Sequence, residues 1–250
     1  AYGALCGTGL AGREQLAPLV VLCGHGASSQ NNPYASALDC GACGGNSGRH
    51  SARLAAAILN DVAVRAGLSK EKQITIPETT RFLACEHDTT KDTFRFFDLD
   101  SLKQFSAEQK EIFAKLQKDL ELVGALVRKE REKRLPLSSF KGFNHPFARA
   151  CDWAQNAPEW GLARNAAFVA APRSLTRGLD LAGRTFLHSY DWRTDESGKV
   201  LELIMTAPMV VAQWINSQYY FSTMDNRLLG SGSKVLHNVV GDFGVMQGLG

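Results

Sequence analysis

The sequence has no long uninterrupted hydrophobic run and no excess of either charge. Its longest nearly apolar stretch, Leu203 to Ile215, is interrupted by Thr206, Pro208 and Gln213, so it is too short and too broken to span a bilayer. The net charge is +3 and charged residues make up 21 %, which gives no concentrated basic face of the kind that nucleic-acid binding needs. We therefore expect no nucleic-acid partner and no transmembrane segment within these 250 residues.

Cysteine is sparse and scattered. The six cysteines are Cys6, Cys23, Cys40, Cys43, Cys85 and Cys151. Because 44 % of the residues are hydrophobic and can form a core, no disulfide scaffold is needed, and a reducing cytoplasm with free or metal-bound thiols is expected. Four of the cysteines are interpreted as small core residues: Cys6, Cys23, Cys85 and Cys151. The chain begins without Met and ends on Gly-Leu-Gly, so we expect it to be a fragment of a larger protein.

Two short apolar runs predict neighbouring strands of a parallel sheet. They are Leu16–Cys23 and Phe82–Cys85, and both are bounded by glycine or by charged residues. Between them, helical spacing of apolar residues begins at Ser47, with a possible break at Asn60-Asp61 and Gly67 as a candidate C-cap. This order of strand, helix and strand predicts a βαβ unit with a right-handed crossover.

Two histidines follow these predicted strands. His25 comes after the first run and His87 after the second, and parallel strands emerge at the same edge of their sheet. Open α/β sheets bind ligands at this carboxyl edge. His87 is therefore a candidate catalytic residue that lines a pocket or transfers protons. The alternative is a hydrogen-bonded histidine outside the pocket.

The remainder of the chain predicts a helical insertion followed by further strands. A long amphipathic helix is predicted over Ala107 to Arg134, and its last turns, RKEREKR, are interpreted as a solvated face. Ala166–Ala171 and Thr185–Tyr190 are predicted strands, and Thr206 is the predicted N-cap of a buried helix. We expect an α/β protein with three segments: the βαβ half of the core (residues 1–100), a helical insertion and linker (101–158), and the remaining strands and buried helix (159–250).

A stretch rich in Gly, Ser and Asn holds further candidate metal ligands. Cys40 and Cys43 precede a predicted helix, whose N-terminus favours the thiolate that binds metal. Imidazole from His25 together with thiolate is a donor combination that suits Zn²⁺. Two alternatives stay open: a redox pair formed by Cys40 and Cys43, and a structural zinc clip in which Cys23 is the fourth ligand.

Long segments of the chain resemble the inorganic carbon transporter A subunit of the Dab family, whose core is related to β-class carbonic anhydrases. The segments are LVVLCGHGASSQNNPYASALDCGACGG, FLACEHDTTKD, PEWGLARNAAFVAAPR, GRTFLHSYD, LIMTAPMVVAQWINSQYYFSTMDN and GSGSKVLHNVVGDFGVMQG. They extend over nearly the whole chain and match the carboxy-terminal part of that subunit. The resemblance implies a parallel-sheet core of the β-carbonic-anhydrase type.

The resemblance also implies a ligand set. The family holds one zinc ion with two cysteines, one histidine and one aspartate, and His25 and Cys40 match two of these ligands. Cys43 is then a neighbour rather than a ligand. The other two ligands belong to a Cys-x-Asp motif on an earlier strand, and no cysteine in this chain has aspartate two places on. Half of the coordination shell is therefore expected upstream of Ala1.

The function implied by the resemblance is energy-coupled uptake of inorganic carbon, in which CO2 is hydrated to bicarbonate. The implied partner is a proton-translocating membrane subunit, and the implied location is the cytoplasmic side of the inner membrane, as a peripheral protein. A second hypothesis is a non-catalytic assembly module in which zinc only stabilises a loop.

Overall fold

A computed structural model describes residues 1–11, 16–28, 30, 46–132, 146–151, 166–213 and 217. The chain forms two compact units. The first comprises Ala1–Ser28 and Asn46–Leu137, and the second comprises Ser29–Gly45 and Ser138–Gly250. The three-segment division expected from the sequence stays a prediction.

The first unit is built on a mixed three-stranded sheet. Its elements are α1 (Tyr2–Gly7), β1 (Leu19–Gly26), α2 (Arg49–Asn60), α3 (Val62–Lys72), β2 (Arg81–Asp88), β3 (Thr93–Phe97) and α4 (Ala107–Glu132), with a 3-10 helix at Leu99–Gln104. The strand order is β1-β2-β3, with β1 and β2 parallel and β3 antiparallel to β2. The predicted βαβ unit is confirmed, with two helices in its crossover.

The crossover helix breaks where the sequence suggested, but it ends later. Asp61 separates α2 from α3 and accepts a hydrogen bond from the backbone N–H of Val64 at 2.9 Å, as an N-cap does. The prediction of Gly67 as a C-cap is wrong. Helix α3 continues to Lys72, and Gln73 takes the left-handed conformation, with φ of 55°, that terminates it.

Each face of the sheet has its own core. On one face Phe82 and Ala84 of β2 pack in a cluster with Ala52, Ala56 and Leu59 of α2. On the other face Leu83 packs with Phe105 and with Phe113 of α4. The alternation of side chains along a strand therefore decides which helix each strand residue meets.

Helix α4 begins where predicted, and a reciprocal cap fixes its start. The backbone N–H of Gln109 donates to Ser106 Oγ at 3.1 Å, and that of Ser106 donates to Gln109 Oε1 at 3.0 Å. Near the other end the prediction of a solvated face is wrong for Arg128. Its Nη1 donates to the backbone carbonyls of Lys91 and Asp92, at 2.8 and 3.3 Å.

The second unit contains α5 (Pro146–Cys151), β4 (Ala167–Ala171), β5 (Thr185–Ser189) and α6 (Lys199–Thr206), with short 3-10 helices at Arg173–Leu175 and Trp192–Thr194. Strands β4 and β5 are parallel and match the two predicted runs to within one residue. The predicted helix start near Pro208 is confirmed, since residues 208–213 are helical, but Thr206 is not the N-cap. Thr206 ends α6, and its hydroxyl donates to the Glu202 carbonyl one turn back at 2.7 Å. Among the described helices, none has the length and apolar character that a membrane span requires.

Candidate functional site at the carboxyl edge of the sheet

The two histidines predicted to share an edge lie opposite each other. Strands β1 and β2 run in register from Leu19 beside Arg81 to Gly26 beside Asp88, so that His25 pairs with His87. Both strands extend beyond their apolar runs, and the histidines are the penultimate residues of the strands rather than members of the following loops. Paired residues of parallel strands project to the same face, here the face covered by α4.

The His87 imidazole is held on two sides. Its Nε2 lies 3.0 Å from Oδ1 of Asp92, and its ring stacks on Phe94 with centroids 4.7 Å apart and planes 12° from parallel. The Asp92 side chain is only 2 % exposed, whereas that of His87 is 27 % exposed. The histidine is thus anchored from within the protein and keeps access to solvent.

Two cysteines precede the histidines by two residues, one on each strand. Cys23 and Cys85 are register partners on the same face, and Cys85 is fully buried whereas Cys23 is exposed. The hydrogen bond from Cys85 lowers the pKa of Cys23 to about 7, and the nearby charge of His87 acts in the same direction. The same hydrogen bond, together with burial, raises the pKa of Cys85.

The prediction of small core cysteines holds for only part of the set. It is confirmed for Cys85, which is buried, but it is wrong for Cys23 and for Cys6, which are exposed. Cys151 is half-buried. Cys23 lies on β1, an edge strand of the described sheet, whereas Cys85 lies on the central strand β2.

The glycines around His25 serve packing against the start of α2. A Cβ at Gly24 would lie 2.5 Å from the backbone of Gly48, and one at Gly26 would lie 2.5 Å from Oε1 of Glu86. The hydroxyl of Ser47, just before α2, donates to that same Glu86 oxygen. At Gly24 two backbone segments meet, so Gly48 approaches β1 more closely than a Cβ at Gly24 would allow.

The predicted metal site lies partly outside the described residues. His25 is exposed on β1, but Cys40 and Cys43 fall outside the described residues. Within the described residues, no three His, Cys, Asp or Glu side chains are grouped closely enough to share a metal ion. The donor types suit zinc, because imidazole and thiolate are its usual protein ligands, and an accessible imidazole stands at the predicted edge. Zinc binding stays a prediction.

Comparison with known proteins gives the family. A family model described as "Probable inorganic carbon transporter subunit DabA" matches residues 1–250. The chain belongs to the DabA family. A relative of that description from Bradyrhizobium sp. (strain ORS 278) is 54 % identical over 233 residues, covering 93 % of this chain and 27 % of the relative.

Two further relatives of the DabA family show the same coverage. The protein from Legionella pneumophila (strain Lens) is 52 % identical over 94 % of this chain and 30 % of its own length. The protein from Ectopseudomonas mendocina (strain ymp) is 54 % identical over 93 % of this chain and 29 % of its own length. The chain therefore spans less than a third of the curated relatives that it matches. No solved structure matches it.

Sequence reasoning about this DabA-family chain missed Asp92, Gly124 and Arg128. Asp92 follows the short Thr89–Lys91 turn before the aromatic alternation TFRFF, which is a pattern typical of a strand in a hairpin. That signal could have placed Asp92 beside His87. Nothing in the periodicity of α4 indicated that Gly124 and Arg128 contact this turn.

Proposed function

We propose that this chain contributes His25 and Cys40 to a zinc site that hydrates CO2 to bicarbonate in an energy-coupled inorganic carbon uptake system. The observation that carries the proposal is the register of β1 and β2, which brings His25 and His87 to one edge and one face of the sheet. Membership of a family described as inorganic carbon transporter subunits supports the substrate class.

In the proposed reaction, zinc would supply the hydroxide, and residues of this chain would bind the metal and transfer the proton. When bound, zinc lowers the pKa of its water ligand towards neutrality and so supplies hydroxide at physiological pH. The imidazole of His25 and the thiolate of Cys40 would hold it, with the two further ligands that the family resemblance implies. His87 accepts a proton at the sheet edge and passes it to solvent.

The proposed setting is a complex at a membrane. CO2 is small and uncharged, whereas bicarbonate carries charge and does not cross a bilayer freely, so hydration on the cytoplasmic side retains the carbon. The proposed partner is a proton-translocating membrane subunit, and the chain lies peripherally on the cytoplasmic side of the inner membrane. The word "subunit" in the relatives' names supports a partner in a transporter complex. We also propose that the core is of the β-carbonic-anhydrase type.

The test uses the full-length subunit expressed with its transporter partner. Uptake of labelled inorganic carbon and zinc per subunit are measured for His25→Ala, Cys40→Ser and the control His188→Ala on β5. Both site variants should lose zinc and reduce uptake to background, because each removes a ligand. The control should retain both. Uptake that survives His25→Ala would refute the proposal.

A fourth variant separates catalysis from the structural clip. In the proposed site Cys43 is not a ligand, so Cys43→Ser should retain zinc and uptake. In a clip that only stabilises the loop, the same variant releases zinc. Zinc loss in Cys43→Ser would therefore favour the assembly-module hypothesis over the catalytic one.

A further inference from the structure

The hydrogen bond between His87 and Asp92 fixes which ring nitrogen carries hydrogen. An ionised carboxylate only accepts hydrogen bonds, so the bond of 3.0 Å to Asp92 Oδ1 requires hydrogen on Nε2 of His87. In the neutral imidazole Nδ1 then has the available lone pair. Stacking on Phe94 restricts rotation of the same ring. Orientation and tautomer of His87 are thus both set by residues that follow it in the β2–β3 hairpin.

Asp92 is itself held in an uncommon conformation. Its φ is 53°, a left-handed value that Asp and Asn adopt more readily than other residues with a Cβ. Its backbone N–H donates to the Asp88 carbonyl at 2.8 Å, which closes the turn. The residue is 3 % exposed, so its carboxylate is shielded from solvent.

Helix α4 fastens this turn from outside. Arg128 donates to the carbonyls of Lys91 and Asp92. At Gly124 the helix comes so close that an added Cβ would collide with the carbonyl oxygen of Asp92. These contacts hold the backbone of Asp92 against α4.

We infer that Asp92 is a positioning residue that presents Nδ1 of His87 as the proton acceptor of the site, and that Gly124 and Arg128 of α4 hold Asp92 in place. The inference rests on the proposed function for the reaction that the acceptor serves. In that step an O–H bond of water breaks, its electron pair stays on oxygen, and an N–H bond forms at Nδ1. Asp92 stabilises the resulting imidazolium through Nε2–H.

The first test reads the tautomer and needs no activity. Solid-state NMR of the full-length complex, with ¹⁵N in the histidine rings, identifies the His87 signals at pH 8.5 by their loss in His87→Gln. Hydrogen should reside on Nε2. In Asp92→Asn the amide can donate to Nε2, and hydrogen should move to Nδ1. Hydrogen on Nδ1 of the wild-type ring, or no change in Asp92→Asn, would overturn the inference.

The second test asks whether Asp92 acts through His87. Removing an outer hydrogen-bond partner of this kind typically costs about tenfold to hundredfold in activity, so Asp92→Asn should lower carbon uptake by that factor. In a His87→Ala background the same substitution should cost nothing further, because the group that it orients is gone. An equal loss in both backgrounds would contradict a positioning role. Asp100→Asn, on a fully exposed aspartate, is the matched control.

The third test addresses helix α4. Arg128→Ala removes the donors to the turn, so backbone amides of residues 88–92 should exchange with deuterium several times faster in the full-length complex. Lys129→Ala, one exposed residue further along the helix, is the control. Unchanged exchange in Arg128→Ala would refute the role of α4. If uptake survives His25→Ala the proposed function fails, yet the NMR and exchange results still decide whether Asp92 and α4 orient His87.

Discussion

Close backbone contact at single glycines sets how tightly the first unit packs. At Gly24 the strand β1 meets the backbone of Gly48, where a Cβ would approach within 2.5 Å. Both partners are main chain, so neither can move aside as the end of a flexible side chain can. Gly67 in the middle of α3 is different, because nothing lies within 4 Å of the position that its Cβ would occupy.

These two positions predict opposite effects of the same substitution. Gly24→Ala should lower the free energy of unfolding by about 1 to 3 kcal/mol, since the added methyl forces the start of α2 away from β1. Gly67→Ala should raise it by about 0.5 to 1 kcal/mol, because alanine loses less backbone entropy in a helix. Chemical denaturation of the purified full-length subunit measures both. Destabilisation by Gly67→Ala, or none by Gly24→Ala, would show that the described packing is wrong.

At the scale of elements, Arg65 joins two helices to the beginning of a strand. Its guanidinium donates to the carbonyls of Leu59, Pro77 and Thr80 at 2.7, 3.3 and 2.9 Å, and to Asn60 Oδ1 at 3.1 Å. These acceptors lie at the end of α2 and in the segment that leads into β2. One side chain therefore connects the end of α2 to the segment that precedes β2.

Removing this side chain should cost much more than removing a surface arginine. Arg65→Ala removes four charge-assisted hydrogen bonds to half-buried acceptors, and we expect a loss of about 2 to 4 kcal/mol in the free energy of unfolding. The control is Arg53→Ala on α2, whose ion pair with Asp98 joins side chains that are 48 % and 55 % exposed and is therefore screened by water. Thermal or chemical unfolding of the two variants checks the difference. Equal losses would contradict a joining role for Arg65.

The elements that sequence reasoning found are those with strong local patterns. Strands β1 and β2 are continuous apolar runs, and α4 carries a regular apolar stripe after a capping pair, so their positions followed from periodicity. Strand β3 was missed because its five residues are only partly buried and its alternation is short. Thr206 was misassigned as an N-cap because α6 ends at this residue, shortly before the next helical stretch begins at residue 208. Tertiary contacts, rather than local sequence, decide such cases.

The sequence likewise predicted some contacts of the candidate site and not others. Proximity of His25 and His87 followed from the geometry of a βαβ unit, which needs no knowledge of side chains. The support of His87 by Asp92 depends on a tight hairpin with a left-handed residue, and the support of Asp92 by Arg128 joins residues 36 positions apart in the chain. Contacts of this kind leave no periodic signal, so the sequence could not predict them.

At the scale of the whole molecule, the chain corresponds to only a part of its relatives. It spans between 27 % and 30 % of the length of the relatives compared above. In its described residues no group of three ligands is close enough to hold a metal ion. The ligands implied by the family resemblance include a Cys-x-Asp motif that this sequence lacks.

Zinc retention should therefore differ between this chain and the full-length subunit. With two of four ligands, residues 1–250 alone should lose zinc on dialysis against EDTA, whereas the full-length subunit should retain about one ion under the same conditions. Metal analysis after dialysis checks this, and His25→Ala in the full-length protein is the control for specific binding. Equal retention by the isolated chain would place all ligands within these residues and favour the clip formed with Cys23 and Cys43.

The length of helix α4 also matches that of the strands that it covers. Near its start the Gln109 side chain donates to the carbonyls of Pro18 and Thr79, which precede β1 and β2. At Gly124 and Arg128 it meets the turn that follows β2. The helix between Gln109 and Gly124 is about 22 Å long, close to the roughly 26 Å of an eight-residue strand. One residue inserted between Gln109 and Gly124 would rotate the far end of α4 by about 100°. The helix could then keep its contacts with the segments before the strands or with the turn after β2, but not with both.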